Sequence, residues 1–172
     1  KYFAFTTQNG DTSTNYRLFV YRTNATDGGA NPVKLWQFDE DACISDLAIS
    51  ADGGTVVITS YCSDWARAFS TDSNTPIWQV YLDDPQYIDI SADGQSIVVG
   101  ESAGNNYDSE VYFFHVGSPI PLWKDSVSND VMTAAISANG EFIVVGVGCC
   151  TDPSRAFYVY HRSSGVPIAD GI

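Results

Sequence analysis

The chain has 172 residues, enough for one domain that buries roughly 70% of the surface its unfolded form would expose. Hydrophobic residues make up 44% of it, which excludes a disordered chain, and no apolar run approaches the roughly 20 residues of a membrane helix. With 8 basic against 21 acidic residues the net charge is −13, a balance that repels nucleic-acid phosphates and anionic lipid and excludes both as partners.

Ten Tyr and four Trp stand against a single Met, and Ser, Thr, Asn and Gly are abundant while Lys is scarce. This is the make-up of a secreted all-β protein, with aromatic and β-branched residues in strands and small polar residues in turns. Lys1 stands directly at a strand-like run, with neither an initiator Met nor a signal peptide before it, as expected of a processed or cut chain.

In chain order, residues 2–5, 18–21 and 33–36 read as three short strands separated by polar loops. Ile49-Ser50-Ala51-Asp52-Gly53 follows, then an apolar strand at 55–58 and Pro76-Ile77-Trp78. The order recurs with Ile90 to Gly94, a strand at 96–99, the aromatic strand 111–115 and Pro121-Leu122-Trp123. It recurs again with Ile136 to Gly140, strands at 141–145 and 157–161, and Pro167-Ile168-Ala169, where Ala replaces Trp.

The Ile-Ser-Ala elements are 41 and 46 residues apart, and Trp36, Trp78 and Trp123 are 42 and 45 apart. Each unit therefore supplies four short antiparallel strands, A to D, and no ten-residue segment carries a helical apolar period. Four-stranded units at this period are the blades of an all-β propeller, about four of them, at approximately 1–41, 42–83, 84–129 and 130–172. The first unit lacks its A strand. The expectation is one partial propeller domain, either part of a seven- or eight-bladed ring or completed by another chain. Self-association through the incomplete first blade would follow from its open edge.

Within the turns, Asp-Gly supplies an Asx hydrogen bond and a positive φ. The D-strand Trp residues are expected to pack between blades. His115 and His161 occupy one position at the end of the C strand, where Arg22 and Ser70 also align, so that position reads as a solvated edge.

The repeated pattern resembles the WD40-like and quinoprotein-like (PQQ-type) propeller repeats. It lacks the Gly-His and Trp-Asp pairs of true WD40 repeats, and the quinoprotein docking signature is only echoed in residues 70–78. The resemblance implies a fold and not an activity. If the quinoprotein likeness is carried further, the stretch from Cys149 and Cys150 to Arg155 resembles the adjacent-Cys, Asp, Arg stretch of quinoprotein alcohol dehydrogenases. Cys149 and Cys150 would then cover a pyrroloquinoline quinone and Arg155 would assist. A similar stretch, Cys62 to Phe69, recurs in the second unit, which marks an inherited repeat feature, because one ring holds one cofactor.

If Ser50 pairs with Thr55 across the turn, all opposed residues of that hairpin share one index sum. Cys43 and Cys62 share it too, which predicts a cross-strand disulfide. Cys149 and Cys150 are adjacent and form a vicinal disulfide, stay reduced, or pair elsewhere. An even Cys count and one good pairing point to an oxidising compartment, secreted or cell-surface. Asn24-Ala25-Thr26 is an N-glycosylation sequon. The Cys spacing does not suit zinc.

Carboxylates gather between units at Asp39, Glu40 and Asp41, at Asp83 and Asp84, and at Asp130. An acidic rim of this kind attracts calcium or a basic partner. No catalytic triad can be assembled, because the only two His residues fall at the repeated C-strand position. The leading expectation is a non-catalytic scaffold for protein or glycan contacts without a cofactor, its variable loops at 6–15, 23–31 and 102–108 supplying the surface. The alternatives are part of a quinoprotein-like oxidoreductase, with quinone and calcium, and a structural subunit of an extracellular assembly.

Overall fold

The computed structural model describes residues 1–8, 16–23, 31–102, 108–148 and 156–171. Among them there are only strands and turns. The first sheet pairs β1 (Tyr2–Gln8), β2 (Tyr16–Arg22) and β3 (Val33–Glu40). The second holds β4 (Asp46–Ile49), β5 (Thr55–Ser60), β6 (Trp65–Ser70) and β7 (Pro76–Tyr81). The third holds β8 (Pro85–Ile90), β9 (Ser96–Glu101), β10 (Asp108–His115) and β11 (Trp123–Ser128). The fourth holds β12 (Asp130–Ile136), β13 (Phe142–Gly148), β14 (Phe157–His161) and β15 (Ala169–Gly171). Every sheet is an antiparallel meander in chain order, and successive sheets pack face to face as propeller blades. The first blade has three strands among the described residues.

The recurrent turn shows why five residues repeat. Ser50 Oγ donates to Asp52 Oδ1 at 2.5 Å and accepts the Thr55 N–H at 3.1 Å, while Asp52 Oδ1 accepts the Gly54 N–H at 2.8 Å. Ser91 with Asp93, and Ser137 with Asn139, repeat these bonds. Gly53, Gly94 and Gly140 sit at φ of 75°, 70° and 70°, a region that L side chains avoid. A Cβ on Gly94 would stand 2.9 Å from Thr55 Oγ1, and one on Gly140 would stand 2.8 Å from Ser96 Oγ. Each turn thus rests on the B strand of the blade before it, so the same glycine serves the turn and the packing.

Between blades lie three apolar clusters, and the D-strand Trp residues stand in all three. Trp36 meets Phe69 at 5.6 Å, Trp78 meets Phe114 at 5.4 Å and Trp123 meets Tyr160 at 5.2 Å, each ring on the C strand of the next blade. Their indole N–H groups donate to the carbonyls of Thr71, Val116 and Arg162, just past those rings, at 2.7, 2.8 and 2.9 Å. The Trp packing expected from the repeat is therefore observed, with a backbone hydrogen bond added to it.

A second link joins the innermost strands. The Asp46 carboxylate accepts the Leu47 N–H at 2.8 Å and the Ile88 N–H of the next blade at 3.0 Å. Asp89 does the same for Ile90 and Ile136, at 2.8 and 2.9 Å.

The two parts of the Trp contact can be separated. Trp78→Ala is expected to destabilise the fold by about 3–5 kcal/mol through the cavity it leaves. Trp78→Phe keeps a ring on Phe114 but leaves the Val116 carbonyl unpaired, for a loss of about 1–2 kcal/mol. Urea unfolding of both variants measures the difference, and equal losses would place the energy in the hydrogen bond alone.

Candidate functional site

Strand order puts the B–C loops and the D–A connections at one end of the blades, and this rim holds most of the chain's unusual polar chemistry. All the pairs of the β4–β5 hairpin share the register set by Ser50 and Thr55, whose backbones bond at 3.0 Å. Cys43, in the D–A connection, and Cys62, in the B–C loop, are joined by a disulfide with their Cα atoms 5.3 Å apart. Ser60 Oγ donates to the Cys43 carbonyl at 2.7 Å and bonds Ser63 Oγ at 2.8 Å, and Ser63 Oγ donates to Glu40 Oε1 at 3.2 Å. Arg67 closes the network with an ion pair to Glu40 and a 3.3 Å bond to Gln79. Its guanidinium lies 5.4 Å from the Phe38 ring and 5.5 Å from the Trp65 ring. Burial pushes the Glu40 carboxyl above its usual range, an effect that the Arg67 charge opposes.

Glu40 is consequently a buried member of the blade contact and not a rim charge, unlike its neighbours. Asp39 is exposed and accepts from Arg17 Nε at 2.8 Å, and Asp41 is exposed in the connection. Asp83 and Asp84 lie in the β7–β8 connection, and Asp130 opens β12. The Asp84 N–H donates to Asp64 Oδ1 at 3.2 Å, and Tyr81 Oη donates to Asp64 Oδ2 at 3.1 Å. Partial burial raises the Asp84 carboxyl above its usual value, Asp64, Asp83 and Asp130 adding to the effect. Tyr81 and Tyr61 are 62% and 44% exposed, and Trp65 meets Tyr81 edge-on at 5.9 Å, so aromatic surface stands open beside these carboxylates.

One further group was not marked by sequence reasoning. Glu101, at the end of β9, is only 5% exposed and accepts the Asp83 N–H at 2.8 Å. Burial drives its pKa to about 7, with Glu110 and Asp83 adding to the rise, while the Asp83 N–H and Tyr112 oppose it. Tyr112 donates to Glu110 at 2.6 Å, and Lys124 reaches Glu110 at 2.7 Å. Glu110 is raised by partial burial, but these hydrogen bonds hold it below the usual carboxylate range.

The other candidates are dispersed. His115 Nδ1 accepts the Gly117 N–H at 3.0 Å, and His161 Nδ1 contacts Ser163 Oγ at 2.7 Å, so both residues cap C–D turns at the opposite rim. Cys149, Cys150, Arg155 and Asn24 lie outside the described residues. In the Cys62 to Phe69 copy of the quinoprotein-like stretch, Cys62 is in its disulfide, Asp64 holds Tyr81, and Arg67 is buried against Glu40.

Neither a protein-family model nor a curated protein matches the sequence. Solved structures do match. Hydrazine synthase of Kuenenia stuttgartiensis has a TM-score of 0.68 at 16% identity, over 92% of this chain and 46% of that one. Sqt1 of Chaetomium thermophilum, bound to the N-terminus of ribosomal protein L10, has a TM-score of 0.68 at 13% identity, over 90% and 43%. BamB of Moraxella catarrhalis has a TM-score of 0.63 at 15% identity, over 81% and 40%. The fold is a β-propeller. The chain spans a little under half the length of these structures.

Glu101 gives the rim a pH dependence. Its folded pKa lies above the unfolded value of 4.5, so its contribution is full below that value and lost as pH rises through about 7. Glu101→Gln should remove that loss, about 2–3 kcal/mol across this window. Thermal melts at pH 5 and pH 8 should show the variant gaining several degrees on the wild type at the higher pH. A pH-independent difference would mean that Glu101 is already ionised at pH 5.

Proposed function

We propose that the protein is a non-catalytic β-propeller scaffold, secreted or at the cell surface, whose rim takes up a protein partner through a basic segment. The observation that carries this reading is the rim of the second blade, where Tyr61 and Tyr81 stand exposed beside Asp64, Asp83 and Asp84. Carboxylates here steer a basic segment, and exposed Tyr rings supply apolar contact area at low entropic cost. The loop that carries Tyr61 is tied to the D–A connection by the Cys43–Cys62 disulfide, so little ordering is left for binding to impose. Sqt1 in its complex with the L10 N-terminus is one propeller of this fold seated on a protein segment. The disulfide also supports the oxidising compartment, since such bonds persist outside the reducing cytosol.

Titration with a fluorescent Lys-rich peptide tests the rim. Binding should weaken about tenfold or more in the Asp83→Asn/Asp84→Asn double variant and again on raising the salt concentration. Asp72→Asn/Glu141→Gln, of equal charge change at the opposite rim, should leave it nearly unchanged. Equal losses in both variants would reduce the effect to net charge and remove the rim site. A glycan array hit that is insensitive to salt and lost in Tyr81→Ala would replace the protein partner with a sugar.

The compartment is tested separately. Cys43 and Cys62 should label with maleimide only after reduction, and reduction should cost about 3 kcal/mol for a loop of this length. Labelling of both in freshly isolated, untreated protein would overturn the extracellular placement.

A further inference from the structure

The outer strand of a blade is a sheet edge, and the outer strands of the first and third blades carry charge along it. β3 holds Lys34, Asp39 and Glu40, and β11 holds Lys124 and Asp125. Charged side chains are the usual protection of an edge, because they discourage a further strand from pairing with it. β3 has a second protection: Asn74 of the next blade donates to the Gln37 carbonyl at 3.2 Å. Between these two lies β7, Pro76-Ile77-Trp78-Gln79-Val80-Tyr81, which closes the sheet of the second blade and holds no charged residue.

Register shows which backbone groups of β7 are open. The Leu82 N–H donates to the Asp64 carbonyl at 2.9 Å, and the pairs Val80–Ala66 and Trp78–Ala68 follow in the same register. Bonded and non-bonded pairs alternate along an antiparallel ladder, so Trp78 and Val80 bond β6 while the N–H and C=O groups of Gln79 and Tyr81 point away from it. Among the described residues nothing hydrogen-bonds these outward groups. Gln79 and Tyr81 are both exposed, and the ladder runs without a bulge from Trp78 to Tyr81. Carboxylates stand at that end of the strand: Asp64 accepts from Tyr81 Oη at 3.1 Å, and Asp83 is exposed in the connection that follows.

We propose that β7 takes up one extended segment of a protein partner as an added strand, paired through the backbones of Gln79 and Tyr81. The proposal rests on the rim reading above and gives the basic segment its conformation. Backbone bonds supply the pairing, and the pleat supplies a side-chain pattern, because successive side chains of an added strand alternate between its two faces. On the face of Tyr81 the opposed side chain lies beside the Asp64 carboxylate, a place for Lys or Arg. On the other face its neighbours are Trp78 and Val80, a place for an apolar side chain. Charge sets the class of the occupant. A second copy of this chain, at a net −13, would bring further acid to Asp64 and Asp83, whereas a segment of alternating basic and apolar residues complements both faces.

Titration with a fluorescein-labelled peptide of alternating Lys and Val tests this. Gln79→Pro removes an outward N–H and keeps the bonds to β6, so it should bind the peptide about tenfold more weakly than Gln79→Ala, which retains that N–H. Ser126→Pro, the matching change on the edge of β11, should leave binding nearly unchanged. Circular dichroism reports whether the variants fold, and hydrogen exchange of the wild type needs no variant: saturating peptide should slow the Gln79 and Tyr81 amides about tenfold or more. Binding that slows neither amide, or that is equal in Gln79→Pro and Gln79→Ala, would overturn the added strand. If such binding is still lost in Asp83→Asn/Asp84→Asn, the rim reading stands without it, whereas a wild type that does not bind the peptide overturns both. A wild-type dimer that Gln79→Pro converts to monomer would give the edge to a second copy and also overturn the proposal.

Discussion

Packing of each blade against the next is the constraint on which everything else here depends, because no four-stranded meander buries both of its own faces. The chain meets it with two recurrent devices at opposite radial positions. Toward the outside, Trp36, Trp78 and Trp123 each cover an aromatic ring of the next C strand and hydrogen-bond a carbonyl beyond it. Toward the axis, Asp46 and Asp89 share their carboxylates between consecutive A strands, satisfying N–H groups that would otherwise face a blade junction. Between them the Gly of each A–B turn leaves room for a side chain of the preceding blade: Tyr2 at Gly53, Thr55 at Gly94 and Ser96 at Gly140. Directional bonds at both ends of an apolar contact fix the offset between blades, which burial alone would leave free to slide.

This explains which features could be read from the sequence. The Ile-Ser-Ala-Asp/Asn-Gly turn was legible because its bonds run between residues two to five apart, so local composition carries the whole signal. The Cys43–Cys62 register was legible because the pairs between Asp46 and Thr59 run without a bulge. The same index argument would fail in the third blade, where register shifts between Pro85 and Tyr87, and in the fourth, between Val131 and Thr133. Glu40 read as one more loop carboxylate because its partner Arg67 lies 27 residues away on the next blade, and no local pattern marks that contact. Glu101 escaped notice for the same reason, since its partner is a backbone N–H of the D–A connection. His115 and His161 read as a solvated edge. Their role as turn caps had a signal: Ser70, aligned with them, also offers an acceptor and takes the Asp72 N–H at 3.2 Å.

Among the described residues, the acidic side chains treated above fall into three physical classes that composition cannot separate. Asp52 and Asp93 accept hydrogen bonds from Ser50 and Ser91 and from backbone N–H groups, which hold them below the usual carboxylate range. They belong to the turns, and their charge is incidental to any partner. Glu40 and Glu101 are buried and raised, so the fold tolerates them against a desolvation penalty. Asp41 and Asp83, exposed in the D–A connections, are placed to act on a partner at distance. The effective field of the rim is therefore smaller than the net charge suggests.

The rim of the second blade is held at its B–C loop. Its B–C loop, between Ser60 and Trp65, is the short one, and it is fastened three times over: by the disulfide, by the Ser60–Ser63–Glu40 chain, and by Asp64 holding Tyr81 and the Asp84 N–H. Each fastening ends on a different element: the D–A connection before the blade, the first blade, and the connection after it. A side chain carried on such a loop cannot move without disturbing a blade junction on either side. Recognition at Tyr61 and Tyr81 would therefore proceed on preformed geometry, and affinity would be limited by shape and charge rather than by the entropy of ordering the loop.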